Sequence, residues 1–161
     1  MDCLSAPVNH KDSTVSFVRS ADIAPIQVLS DRLRLLLRSN DSPFQMSAML
    51  VDVPPGGFVP PHTHAREEEA YFVLEGALAL RVGDQTNTLG PGDFGHVPPQ
   101  TVHAYANESG APVRFLAWTV GGPVDQFFLA MNESVHRMPE DAAAMAAITA
   151  RFGVQMVGAP A

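Results

Sequence analysis

The chain has 161 residues, with 17 acidic against 10 basic side chains, a formal charge of −7 at pH 7. That length suits one domain with a real core and is too short for two complete barrels, while the acidic balance, with basic residues gathered only in the alternating set Arg32, Arg34, Arg38, argues against a nucleic-acid partner. The sole cysteine, Cys3, leaves no internal disulfide, Met1 to Lys11 lacks a signal-peptide core, and no apolar run approaches the ~20 residues that span a bilayer, so the expectation is a cytoplasmic chain with no membrane partner.

In chain order, residues 1–25 read as a polar arm with a first strand candidate at Thr14 to Arg19. Residues 26–122 then follow period two. Leu33, Leu35 and Leu37 share one face of Arg32 to Arg38, and a second apolar strand is predicted from Phe44 to Val53 after the turn Asn40-Asp41-Ser42-Pro43. Further short strands are expected at Phe58 to His64, Glu69 to Leu74, Ala77 to Val82, Asn87 to Leu89, Asp93 to Val97, Val102 to Asn107 and Val113 to Val120. Turns rich in Gly, Pro and Asp divide them, as at Pro54-Pro55-Gly56-Gly57 and Gly90-Pro91-Gly92-Asp93. Many short, evenly spaced strands argue for an all-β barrel or sandwich, read here as an antiparallel double-stranded barrel. Beyond Gly121-Gly122-Pro123 the pattern turns helical over 123–161: Val124 to Met131 is short and aromatic, and Pro139-Glu140-Asp141 opens a run from Ala142 to Phe152 that stops at Gly153. This extension is expected outside the barrel or across its mouth, with Phe127-Phe128 either a lid or an apolar packing face.

The chemistry is concentrated in two segments: Gly56-x5-His62-x-His64-x4-Glu69-x6-Gly76, and Gly92-x5-Pro98-x4-His103-x3-Asn107. Residues two apart on a strand face the same side, so His62 and His64 look one way. The polar stretch Ala65 to Glu68 turns the chain back, and the next strand carries Glu69, Tyr71 and Val73 on one face. Glu67 and Glu68 compete with Glu69; strand parity turns Glu68 away, the interval to Gly76 favours Glu69, and a solvated turn is the simplest reading of the other two. His103, Tyr105 and Asn107 share a face of the later strand, and a closed barrel would bring His103 to the pair.

These two segments resemble the paired motifs of the cupin superfamily. The first fits at every defined position; the second fits at Gly92, Pro98, His103 and Asn107, but Gln100 stands where the pattern carries glycine. The resemblance spans roughly residues 45–120 and includes the runs Tyr71 to Gly76 and Gly90 to Phe94, which are similar to those of small bacterial cupins. It implies a double-stranded β-helix, a jelly-roll-like barrel, with a short helical C-terminal extension.

Three imidazoles and one carboxylate suit borderline and harder divalent ions and fill four positions of an octahedron, leaving about two open for water, oxygen or substrate. Fe, Mn, Ni and Co are the candidate metals, with Zn also compatible; open positions and the lack of cysteine ligands argue against a structural site. Glu69 doubles as the candidate base, the role that a metal-bound glutamate has in the flavonol dioxygenases the chain resembles. Tyr71, Tyr105, Phe58, Phe94, Phe115 and Met46, with Val73 and Trp118, are the expected wall around a small, aromatic or enolisable substrate. His96 is either an ordinary strand histidine or a contact near the site, and His10 and His136 belong to surface or packing.

Three functions are compatible with these residues. The first is a metal-dependent oxygenase using O2, similar to monocupin flavonol (quercetin-type) dioxygenases, which the tail from Ala146 to Val154 also resembles. The second is a non-oxidative isomerase, lyase, decarboxylase or cyclase on the same metal. The third is a small-ligand binding module. A homodimer is expected, since barrels of this size bury a sheet face or edge against a second copy.

Overall fold

The computed structural model describes residues 17–158. His10, the arm, and most of the strand candidate at 14–19 lie outside those residues, and 17–19 carry no strand. Ten strands run in sequence: β1 (Ile26–Val28), β2 (Asp31–Leu37), β3 (Ser47–Val53), β4 (Phe58–His64), β5 (Glu68–Glu75), β6 (Leu78–Val82), β7 (Gln85–Leu89), β8 (Phe94–Val97), β9 (His103–Ala106) and β10 (Val113–Val120). Helices α1 (Val124–Ser134) and α2 (Ala142–Phe152) follow, and β11 (Val154–Met156) closes the order.

The strands form two antiparallel sheets, β1-β2-β3-β10-β5-β8 and β11-β4-β9-β6-β7. Their inner faces make one core, because alternate residues of the central strands point inward. On β10 the buried set is Val113, Phe115, Ala117 and Thr119, and on β3 it is Ser47, Met49, Val51 and Val53. This is the double-stranded β-helix the sequence predicts, with short C-terminal helices. Among the described residues no helix is long and apolar enough to cross a membrane.

The motif glycines and asparagine hold the turns. Gly76 has φ of 80°, and a Cβ there would meet the Pro112 carbonyl at 2.7 Å, so both conformation and space require glycine. Asn107 Nδ2 donates to the carbonyls of Val53 and Ala111 at 3.1 and 2.8 Å, while its Oδ1 accepts from the amide and hydroxyl of Ser109. Gln100, in the place of the motif glycine, keeps the left-handed backbone with φ of 60°. The strain of that conformation, about 1 kcal/mol or more for a residue with a Cβ, accompanies a hydrogen bond from the Gln100 backbone amide to the His64 carbonyl at 2.9 Å. The substituted turn therefore docks on the strand that carries two of the site histidines.

The strand expected from Phe44 begins at Ser47, because Gln45 is left-handed (φ 52°) in a turn closed by its amide on the Ser42 carbonyl. The short helix runs three residues past Met131, to Ser134. Its anchor is Asp125, 1% exposed, whose carboxylate accepts from the Ser47 hydroxyl at 3.0 Å and the Ser39 amide at 3.3 Å. β11 has no counterpart in the sequence reading: Gly153, left-handed at φ 70°, ends α2 and sends the chain back along β4.

Candidate metal centre and its cavity

Strand register assembles the cluster. His62 lies directly opposite His103 in the β4·β9 pairing, and His64 follows two residues later on the same face. Glu69 faces them from the other sheet, where β5 sits between β10 and β8, opposite Thr119 and Val97. All four side chains are buried, and one ligand atom from each falls within 4.8 Å of every other. Donors sharing an ion at ~2.0–2.2 Å stand from ~3 Å (cis) to ~4.4 Å (trans) apart, so the four atoms are already near the spacing that one cation imposes.

The outer nitrogens favour the same fit. His62 Nδ1 donates to the Pro60 carbonyl at 2.9 Å and His103 Nδ1 to the Thr101 carbonyl at 3.0 Å. Each bond commits the Nδ1 proton outward and turns Nε2 toward the cluster, the arrangement in which a histidine serves as a ligand. His64 Nδ1 is buried with no hydrogen-bond partner, and its Nε2 lies 3.5 Å from Glu69 Oε2.

Without a cation, protons hold the charges together. His103 Nε2 and Glu69 Oε2 are 3.1 Å apart. Burial raises the Glu69 carboxyl, but the His103 hydrogen bond and the charges of His64, His103 and His62 outweigh it and hold the group at about 2. His103 is the reciprocal case: burial lowers it, and the bond and charge of Glu69 raise it above its ordinary value. His62 is pushed down to about 4 by burial and then by the charges of His103 and His64, and His64 is lowered mainly by burial. Two imidazoles are thus kept neutral and able to donate lone pairs.

A cavity of about 70 Å³ adjoins the cluster. His62, His64 and Glu69 line one end, and Tyr71, Tyr105 and Phe115 form an aromatic wall with ring centroids 5.4 to 6.0 Å apart. Apolar residues of β1 to β4, among them Leu33, Met49 and Val51, line it as well, and the C-terminal extension adds Phe127, Phe128 and Met131 of α1, Met145 and Thr149 of α2, and Met156 of β11. β11 pairs Val154 with His64 and Met156 with His62, so the tail is stitched to the ligand-bearing strand.

Five expected wall residues lie elsewhere, among them Val73, which is fully buried in the core and does not line the cavity. Phe58 is 58% exposed, because the Pro60-Pro61 step shifts register between Val59 and His62 and reverses parity, putting Val59 and Pro60 at the cavity instead. Phe94 is 54% exposed; it pairs with Phe72 on the outer face, and the inward residue of that step is Gly95, opposite Tyr71. Met46 precedes β3 and does not line the cavity. Trp118 shares the outer face, its ring 5.8 Å from that of Phe94.

Among the acids, Glu68 is exposed as parity requires, but Glu67 is 4% exposed rather than solvated. Its carboxylate accepts from the Arg66 amide at 3.2 Å and packs where a Cβ on Gly122 would stand. The glycine pair at 121–122, legible as a boundary, thus also makes room for a buried acid. His96 is an outer-face residue 3.9 Å from Glu68, and His136 is exposed, its amide bonded to Asp141. Asp31, unremarked in the sequence reading, is 2% exposed and accepts the Tyr105 hydroxyl. A lone acid before an apolar run gives no sequence signal for that contact.

The Cupin domain family matches residues 49–119. The quercetin 2,3-dioxygenase of Bacillus subtilis (strain 168) is 27% identical over 123 residues, 76% of this chain and 36% of that protein. Germin-like protein subfamily 2 member 1 of Arabidopsis thaliana is 36% identical over 77 residues, 45% of this chain and 35% of that protein. The chain thus spans about a third of the length of these curated relatives. Among solved structures, the polyketide cyclase RemF from Streptomyces resistomycificus superposes with a TM-score of 0.59 at 25% identity, covering 68% of this chain and 82% of that one. The two-sheet topology, both motif segments and the family match agree, and residues 49–119 of the chain form a cupin domain.

Proposed function

We propose that this protein is a metal-dependent enzyme acting on a small, aromatic or enolisable organic molecule, and that it uses O2 as an oxygenase. The observation that carries the reading is the buried His62, His64, Glu69 and His103 set opening onto a largely apolar cavity. Those residues would hold one divalent ion of Fe, Mn, Ni or Co, with Zn compatible; when bound, it supplies Lewis acidity and, for the redox-active ions, electron transfer. The chain does the rest. The aromatic wall packs the substrate and excludes water, and the Glu69 carboxylate accepts a proton from a substrate hydroxyl. The Bacillus relative, named for a 2,3-dioxygenase, supports the oxidative reading.

A second reading, a non-oxidative lyase, isomerase, decarboxylase or cyclase, draws on the likeness to RemF, named as a cyclase, and needs the same four residues. Oxygen uptake and product formation with a flavonol and an enolisable diketone separate them. The protein is loaded in turn with Fe(II), Mn(II), Ni(II) and Co(II) and assayed in air and anaerobically. The expected result is turnover that stops without O2. Undiminished anaerobic turnover moves the protein to the second reading, and no product with any metal leaves a binding module.

A homodimer belongs to the same proposal. Leu50, Leu116, Phe72 and Phe94 form one apolar row across four strands on the outer face of the first sheet. The corresponding face of the second sheet presents Thr86, Arg81 and Ala104. A second copy on the apolar face would remove that row from water. Light scattering is expected to give twice the chain mass for the native protein and the single chain mass for Phe72→Lys; a monomeric native protein overturns it.

A further inference from the structure

The polarity of the cavity wall carries information about its occupant that the metal cluster does not. Among the described residues no lysine or arginine lines the cavity, so none of them compensates a carboxylate or phosphate on the ligand away from the cluster. Beyond the cluster the lining side chains carry three hydroxyls, those of Tyr71, Tyr105 and Thr149. The first, Tyr71, belongs to the cluster end, where burial and the charge of Glu69 push its phenol up. The other two have the proton committed to the protein: Thr149 Oγ1 donates to the Ala146 carbonyl at 3.0 Å, and the Tyr105 phenol donates to Asp31 Oδ2. An O–H spent in this way leaves only acceptor lone pairs.

Asp31 shapes this pattern. Its carboxylate is 2% exposed, takes a second hydrogen bond from the Ser30 hydroxyl at 2.7 Å, and makes no ion pair among the described residues. Burying a carboxylate without a cation is costly, and an apolar residue at the head of β2 would avoid that cost. The acid does what an apolar residue cannot: it fixes the direction of the Tyr105 proton across the two sheets.

We propose that Tyr105, oriented by Asp31 as a positioning residue and assisted by Thr149, is an acceptor-only pole that selects an uncharged ligand carrying a hydroxyl donor on the part remote from the metal cluster. The ligand is compact. At about 70 Å³ the cavity is under half the ~150 Å³ that admits benzene, which favours a slender, short-chain molecule over a three-ring flavonol. The inference rests on the metal-centre reading above and names its substrate class.

Hydroxamic acids test it, because they are small, neutral near pH 7 and bind divalent metals. Titration calorimetry on the Zn(II)-loaded full chain, which avoids turnover, compares alkyl hydroxamic acids of two to four carbons with their ω-hydroxy and ω-methoxy counterparts. For the chain length that reaches Tyr105, the ω-hydroxy compound is expected to bind about five- to tenfold tighter than the alkyl one, as one added hydrogen bond allows, and the ω-methoxy compound no tighter. Tyr105→Phe should erase most of the difference, and Asp31→Asn, which keeps an acceptor oxygen, should retain it. Asp31→Leu frees the phenol proton and should transfer the preference to the methoxy compound; if that variant does not fold, Asp31→Asn and Tyr105→Phe decide. Absence of a hydroxyl preference at every length, or its survival in both Tyr105→Phe and Thr149→Val, overturns the proposal. The metal reading fails separately: zinc would then give no gain in hydroxamate affinity over the metal-free protein or the His62→Ala variant, and the inference would fall with it.

Discussion

Replacing His103 with alanine is expected to take the purified protein from close to one divalent metal per subunit to less than a tenth of that, and His62→Ala to do the same. Both imidazoles face the cluster from directly paired positions on β4 and β9, and both have Nδ1 tied to a backbone carbonyl. Loss of a group that merely orients a ligand costs about 10- to 100-fold in metal affinity; loss of a ligand itself costs more. The change at His103 has a second consequence. It removes the hydrogen bond that, with the neighbouring imidazoles, holds Glu69 at about 2, so burial then acts against a carboxylate with fewer partners, and the metal-free variant should melt earlier than the metal-free parent. His96→Ala is the control: that ring is on the outer face, 48% exposed and 3.9 Å from Glu68, and it should leave metal content unchanged. Elemental analysis of the three variants measures this directly, and full metal in His62→Ala and His103→Ala would overturn the ligand assignment.

Period-two patterning carried most of the barrel, because each sheet has one wet and one dry face and alternation records which is which. The same rule put His62 beside His64 and turned Glu68 away from Glu69. It misread Phe58, since two consecutive prolines shift the β4·β9 register and a shifted register exchanges faces. It misread Phe94 for another reason: the inward neighbour is Gly95, whose lack of a side chain is filled by Leu80 from the opposite sheet, and a glycine registers in no hydrophobic pattern. Asp31 and Glu67 were invisible as buried acids because their partners, Tyr105 and the Gly122 backbone, lie 74 and 55 residues away along the chain. The helices of the extension were legible from their punctuation. Their position against the cavity was not, since it depends on β11 pairing with β4, and three residues after a glycine are too few for periodicity to register.

Glu69→Gln is expected to separate metal holding from proton transfer. The amide has the shape of the carboxylate and keeps one oxygen, so metal content should fall by no more than a few-fold, whereas the rate on an enolisable substrate should fall by about 10²- to 10⁴-fold, the usual contribution of a positioned base. In the metal-free site the carboxylate is ionised at all pH values above about 2, so an acceptor is always present, but one that weak takes a proton only when the forces lowering it are relieved. Chief among these is the hydrogen bond from His103 Nε2. An ion that takes the Nε2 lone pair of His103 displaces that proton and the hydrogen bond with it, so the two residues act as one unit around the metal. Glu69→Gln and His103→Ala should accordingly be non-additive in rate, the double variant being little slower than the slower single one. Parallel elemental analysis and single-turnover kinetics on Glu69→Gln decide the point: equal losses of metal and of rate would reduce Glu69 to a ligand and move the base to another group lining the cavity.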